Sequence, residues 1–146
     1  AVGGLDVAVE HAAVEGGLSR LPRILEKQRP GIVLIELGGN DGLRGLPLDV
    51  TRSNLSSMID RSREAGARVI IAEIQLPPNY GATYTRRFNE LFHDLAESKG
   101  VTLLPFLLDE VALEPGMMQD DGIHPTSAAQ PVILDAVWES LFPLLD

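Results

Sequence analysis

The 146-residue chain contains no cysteine. Its fold therefore uses neither disulfides nor a thiolate zinc site, and the redox compartment cannot be read from it. Basic charge is scarce: twelve Lys and Arg stand against 21 Asp and Glu, a net charge of −9. That balance argues against nucleic acid or an anionic membrane surface as the main partner. No apolar run approaches the ~18–20 residues of a membrane span. Neither a GxGxxG nor a GxxxxGK[ST] pattern is present, so nucleotide cradling has little support. The first residues, "AVGGLDVAVEH", show no signal peptide and no initiator methionine, which suggests a chain beginning after something was removed. Internal repeats, low-complexity tracts and linkers are absent too.

What is present is an ordinary globular composition, 45% hydrophobic and 23% charged. The size predicts one domain over residues 1–146 with a real core. Strand candidates are "GLDVAV" (4–9), "GIVLIEL" (31–37), "ARVIIAEI" (67–74) and "VTLLPF" (101–106). They are near-continuous apolar runs, as in parallel strands covered on both faces. Helical patterns lie between them. Leu18, Leu21 and Leu25 share a face over 17–28, where Pro22 fits only in a first turn. Leu55, Met58, Ile59 and Ala65 form a second stripe, ended by Gly66; Tyr84, Phe88, Leu91, Phe92 and Leu95 form a third, ended by Gly100. A last helix over 127–142 carries Val132, Ile133, Val137 and Leu141, with Pro131 expected to kink its start. This alternation predicts an α/β fold with a mostly parallel sheet and helices on both faces. Chemistry in such sheets collects beyond the carboxyl ends of the strands, which would make 38–41, 75–81 and 107–126 neighbours.

Two of those loops carry chemistry. "DDGIHP" (120–125) places Asp121 three residues before His124, with Pro125 restricting the histidine toward extended geometry. A surface turn explains this; so does a pair in which His124 is a base and Asp121 fixes its tautomer. Asp120 has only proximity in its favour. "GGND" (38–41) reads as a tight turn, or as a loop whose glycines admit a ligand while Asn40 offers a neutral donor to a developing oxyanion. A metal would need more ligands than His11 and His93 supply, and His93 reads as structural or exposed.

Together, "GLSRLP", "LIELGGNDGLRG", "LPPNYG", "LLPFLLDEV" and "MMQDDGIHP" resemble the SGNH (GDSL) hydrolases, in the lysophospholipase/thioesterase I/arylesterase branch. The resemblance runs from about Gly17 to the C-terminus. It implies a flavodoxin-like three-layer α/β/α fold and hydrolysis of carboxyl esters and acyl thioesters without metal or organic cofactor. It implies Asn40 as oxyanion amide, Asp121 and His124 as acid and base, Gly39 as part of the substrate-facing loop, Gly38 and Pro125 as scaffold, and Tyr80 as a wall of the acyl groove. It also implies a soluble periplasmic or secreted protein, although nothing in the composition rules out the cytoplasm.

The chain departs from the family in two places. The family's nucleophile is the serine of a Gly-Asp-Ser-Leu block after its first strand, and no such block occurs here; the sequence begins roughly where the second strand is expected. The glycine of the next block falls at His11-Ala12. The eight serines lie mostly in helical patterns, and Ser127 or Thr126 is better suited to capping the last helix. The sequence therefore predicts a hydrolase domain without its nucleophile, feeble or inactive as given. The alternative is a non-catalytic binding or scaffold protein that kept a hydrolase groove. A missing internal strand would leave a sheet edge open to a complementing N-terminal segment or a second copy.

Overall fold

The structure, a computed structural model, describes residues 13–145. The strand candidate at 4–9 and the His11-Ala12 position lie outside them. The chain divides into two compact units, one ending at Leu103 and one beginning at Leu104.

The first unit opens with helix α1 (Val14–Gln28), followed by strand β1 (Ile32–Ile35), the short helix α2 (Gly39–Leu43), helix α3 (Leu48–Glu64) and strand β2 (Arg68–Ala72). A 3-10 turn at Pro78–Tyr80 leads into helix α4 (Ala82–Lys99) and then strand β3 (Thr102–Leu104), where the unit ends. The strands are ordered β1-β2-β3. β1 and β2 are parallel, with Val33 opposite Val69 and Ile35 opposite Ile71. Those four residues belong with the apolar stripes of α1, α3 and α4: Leu21 and Leu25, then Leu55, Met58 and Ile59, then Phe88, Leu91, Phe92 and Leu95. The helical periodicity thus supplies one continuous core beside the sheet. Phe88 and Phe92 meet edge to face at 5.3 Å between ring centres, a favoured aromatic geometry.

Several details differ from the sequence expectations. Pro22 is the ninth residue of α1 rather than part of its first turn. It lies on the exposed side, where water can serve the carbonyl that its missing N–H leaves unbonded. Ala65 is exposed beyond the end of α3; the buried position near that end is Ser62, whose hydroxyl donates to the Met58 carbonyl at 2.8 Å. Short cross-helix links tie the C-terminal ends of α3 and α4: Lys99 to Asp60 at 2.7 Å and Arg63 to the Gly100 carbonyl at 2.8 Å.

In the second unit, residues 107–117 form successive turns, and Met118 and Pro125 make an isolated antiparallel bridge. A 3-10 turn (Ser127–Ala129) precedes helix α5 (Gln130–Leu141). Pro131 falls in the first turn of α5, where no N–H is needed, so it starts the helix instead of kinking it. Thr126 occupies the N-cap position of the preceding turn without capping it; its hydroxyl donates to Gly116 and Met117 carbonyls at 2.7 and 3.2 Å. The architecture is a mixed α/β fold with a small, mostly parallel sheet flanked by helices, consistent with a flavodoxin-like arrangement. No helix among the described residues is long and apolar enough to cross a membrane.

Candidate active site

Asp121 and His124 are in direct contact, and local backbone puts them there. The Gln119 N–H donates to the His124 carbonyl at 2.8 Å and the Thr126 N–H to the Met117 carbonyl at 2.7 Å, closing a narrow loop. Gly122 takes φ +67° at its tip, a left-handed conformation that favours glycine. One oxygen of Asp121 accepts the N–H groups of Ile123 and His124 at 2.9 and 3.0 Å. The other lies 2.6 Å from His124 Nδ1. Asp121, rather than Asp120, is therefore the carboxylate that holds the ring. The Nδ1 bond above all, then the two backbone N–H groups, hold the Asp121 carboxyl well below the usual carboxylate range. Each side chain remains 43% exposed. With Nδ1 committed to Asp121, any base role of the imidazole falls to Nε2.

Asn40 and Gly39 lie where β1 gives way to α2. Gly38 makes the turn at φ +123°, and a Cβ on it would come within 3.2 Å of the Phe92 ring. The expected loop at 38–41 is thus largely a short helix, with Asn40 its second residue and its carbonyl accepting the Arg44 N–H at 3.1 Å. A Cβ on Gly39 would meet Ile74 at 3.7 Å, and one on Gly42 would fall 2.7 Å from both Leu76 and Phe88. The segments following β1 and β2 are therefore adjacent, as the carboxyl-end rule requires. Tyr80 ends the 3-10 turn of the second segment and is 37% exposed.

The sequence offers Asp41 only as a turn former, yet it is one of three buried polar side chains among the described residues. It is 2% exposed, and its two oxygens accept the Val14 N–H and the Thr51 hydroxyl, each at 3.0 Å. The one sequence hint was Ala13, which cannot cap α1 and so leaves an orphan N–H to be met from elsewhere. Nearby, Tyr84 donates its phenol to the Leu46 carbonyl at 3.2 Å; burial, and secondarily the Asp41 charge, push its pKa up.

His93 pairs with Glu73 at 3.2 Å and is more than half exposed. No group of three or more His, Asp or Glu side chains gathers as a metal site among the described residues. Each of the eight serines lies in a helical segment: Ser19 in α1, Ser53, Ser56, Ser57 and Ser62 in α3, Ser98 in α4, Ser127 in the 3-10 turn and Ser140 in α5.

Residues 1–130 match the GDSL-like lipase/acylhydrolase family. The chain is 46% identical to "Esterase TesA" of Pseudomonas aeruginosa, covering 97% of this chain and 73% of that protein. It is 42% identical to the "Thioesterase 1/protease 1/lysophospholipase L1" of Escherichia coli, covering 95% of this chain and 69% of that protein. Among solved structures, a psychrotrophic esterase EstA from Pseudoalteromonas sp. superposes with a TM-score of 0.91 at 36% identity, covering 97% of this chain and 77% of the other. The chain belongs to the GDSL-like lipase/acylhydrolase family, in its TesA, arylesterase and thioesterase/lysophospholipase branch.

Proposed function

We propose that this chain is the acid–base and oxyanion part of a serine hydrolase acting on small carboxylic esters or acyl thioesters, and that the attacking serine lies outside these 146 residues. The observation that carries the acid–base half is the 2.6 Å contact between Asp121 and His124 Nδ1, buttressed by two backbone N–H bonds to the same carboxylate. The placing of all eight serines in helical segments supports the second half, because a nucleophile needs a base within hydrogen-bond reach and a presentable hydroxyl.

In this reading the serine oxygen attacks the acyl carbon while His124 Nε2 takes its proton. Asp121 stays ionised and steadies the imidazolium through Nδ1. The amide of Asn40 donates to the new oxyanion, where a preorganised neutral donor stabilises charge without titrating. Collapse expels the alcohol or thiol, protonated by His124; water then repeats the sequence on the acyl-enzyme and releases the acid. Tyr80 and Gly39 would line the acyl side. The serine would come with a complementing N-terminal segment; a second copy could cover a sheet edge left open but would bring no further nucleophile.

The experiment compares aryl ester and acyl thioester hydrolysis by the chain alone and by the chain mixed with a peptide spanning the N-terminal quarter of the Pseudomonas aeruginosa esterase. Weak or no turnover alone, gain on mixing, and loss in His124→Ala are expected, with a fluorophosphonate labelling the added segment. Labelling of this chain itself would overturn the placing of the nucleophile. Equal rates for wild type and His124→Ala in the mixture would overturn the triad reading and favour a non-catalytic scaffold.

A further inference from the structure

We infer that Asp41 is a positioning residue: its buried carboxylate clamps the first turn of α1 and Thr51 of α3 to the short helix that carries Asn40. The inference rests on the proposed role of Asn40 in the hydrolase site.

The five residues of α2 cannot hold a helix in water, because nucleation outweighs so few hydrogen bonds. Its orientation must therefore come from tertiary anchors. Gly42 supplies one, pressed so close to Leu76 and Phe88 that a Cβ there would fall 2.7 Å from each. Asp41 supplies the other, and its partners come from different elements, 27 and 10 residues away. Asp41 directly follows Asn40, so the two side chains leave the helix about 100° apart. Fixing Asp41 inward fixes the direction in which Asn40 projects. A rotation of α2 would swing the Asn40 amide, and misplacement by about 1 Å is enough to cost roughly 10²-fold in rate.

The chemistry suits a clamp. A carboxylate can accept from both donors at once, and both are otherwise stranded. The Val14 N–H belongs to a helix end whose N-cap, Ala13, has no polar side chain, and Thr51 is fully buried. A negative charge at the amino end of α1 is also favoured by the helix dipole. The Val14 N–H is the first of α1, beyond the usual reach of an N-cap side chain, and drawing its acceptor from the neighbour of Asn40 couples the start of α1 to the site.

The test uses Thr51→Val and Thr51→Ser, which alter the clamp without deleting the carboxylate, and Asp41→Asn, which keeps an acceptor for Val14. The chain itself is read by NMR, through the side-chain amide resonances of Asn40 and the exchange rate of the Val14 N–H. The mixture with the N-terminal peptide is read by kinetics. In Thr51→Val and Asp41→Asn the Asn40 amide signals should shift and broaden, while Thr51→Ser resembles wild type. In the mixture kcat should fall about tenfold or more, a share of the roughly 10²–10³ lost when an oxyanion donor is removed outright, with KM little changed. Unmoved Asn40 signals and wild-type kcat in both variants, even with lowered melting, would reduce Asp41 to a structural cap and overturn the inference. If the wild-type mixture shows no turnover, the hydrolase reading fails by itself. The NMR comparison then decides the clamp, moved signals upholding it and unmoved ones ending it.

Discussion

The chain holds two aspartates beside proposed catalytic groups, and they are built in opposite ways. Asp121 is half exposed and draws its partners from residues two and three positions along the chain. Asp41 is buried and reaches partners 27 and 10 residues away. A local turn can assemble a reactive pair without support from the core, so it can be altered with little effect on folding. A buried clamp cannot, because each donor it serves becomes an unsatisfied polar group when it is lost. The difference separates residues whose loss costs chemistry from residues whose loss costs both chemistry and fold.

The largest effect tests the exposed side. His124→Ala should lower kcat/KM of the peptide-completed protein by about 10³-fold or more. Its unfolding free energy from urea denaturation should stay within about 0.5 kcal/mol of wild type, as at other surface positions. A marked loss of stability would show that the 116–126 loop depends on the ring.

On the buried side, Asp41→Ala should destabilise the chain by about 2–5 kcal/mol, since it strands both the Val14 N–H and the Thr51 hydroxyl. Chemical denaturation beside Asp121→Ala makes the comparison direct: similar losses in both would erase the contrast between the two aspartates. A calibration comes from β1. Ile35 is 3% exposed and its truncation to Ala should cost about 2–5 kcal/mol. Leu34, on the opposite face and only half-buried, should cost less. Equal costs would place the core on both faces of β1.

Smaller still is Gly122→Ala. Beyond its own chain neighbours nothing lies within 4 Å of the added methyl, so the left-handed backbone carries the penalty, about 1 kcal/mol. The folded pKa of Asp121 is depressed, so the stabilisation from its bonds is present above the ordinary carboxylate pKa and is lost only as pH falls through the lower folded value. Its carboxyl carbon signal should show no carboxyl protonation step near pH 4, about the ordinary aspartate value. An inflection near that value would mean the His124 bond does not persist in solution.

The helices and strands of the first unit were largely legible because each has a period of its own. Leu55, Met58 and Ile59, or Phe88, Leu91, Phe92 and Leu95, mark a buried face without reference to anything distant. The Asp121–His124 pair was legible for a related reason, since a separation of three through a glycine turn brings the side chains together locally. Proline differs from expectation where its place depends on context. Pro22 sits mid-helix because its side of α1 faces water, and Pro131 starts α5 because the preceding residues form a 3-10 turn. The conversion of "GGND" into a helix was also hidden, for five residues have no period to display.

The amino-acid sequence by itself determined the family, the α/β class and the local acid–base pair, because periodicity and short-range turn geometry are written within a few residues. Tertiary structure alone decided that Asp41 is buried and tied to α1 and α3. Its partners are far away in the chain, and no local pattern records which distant donor a carboxylate will meet once the core has closed around it.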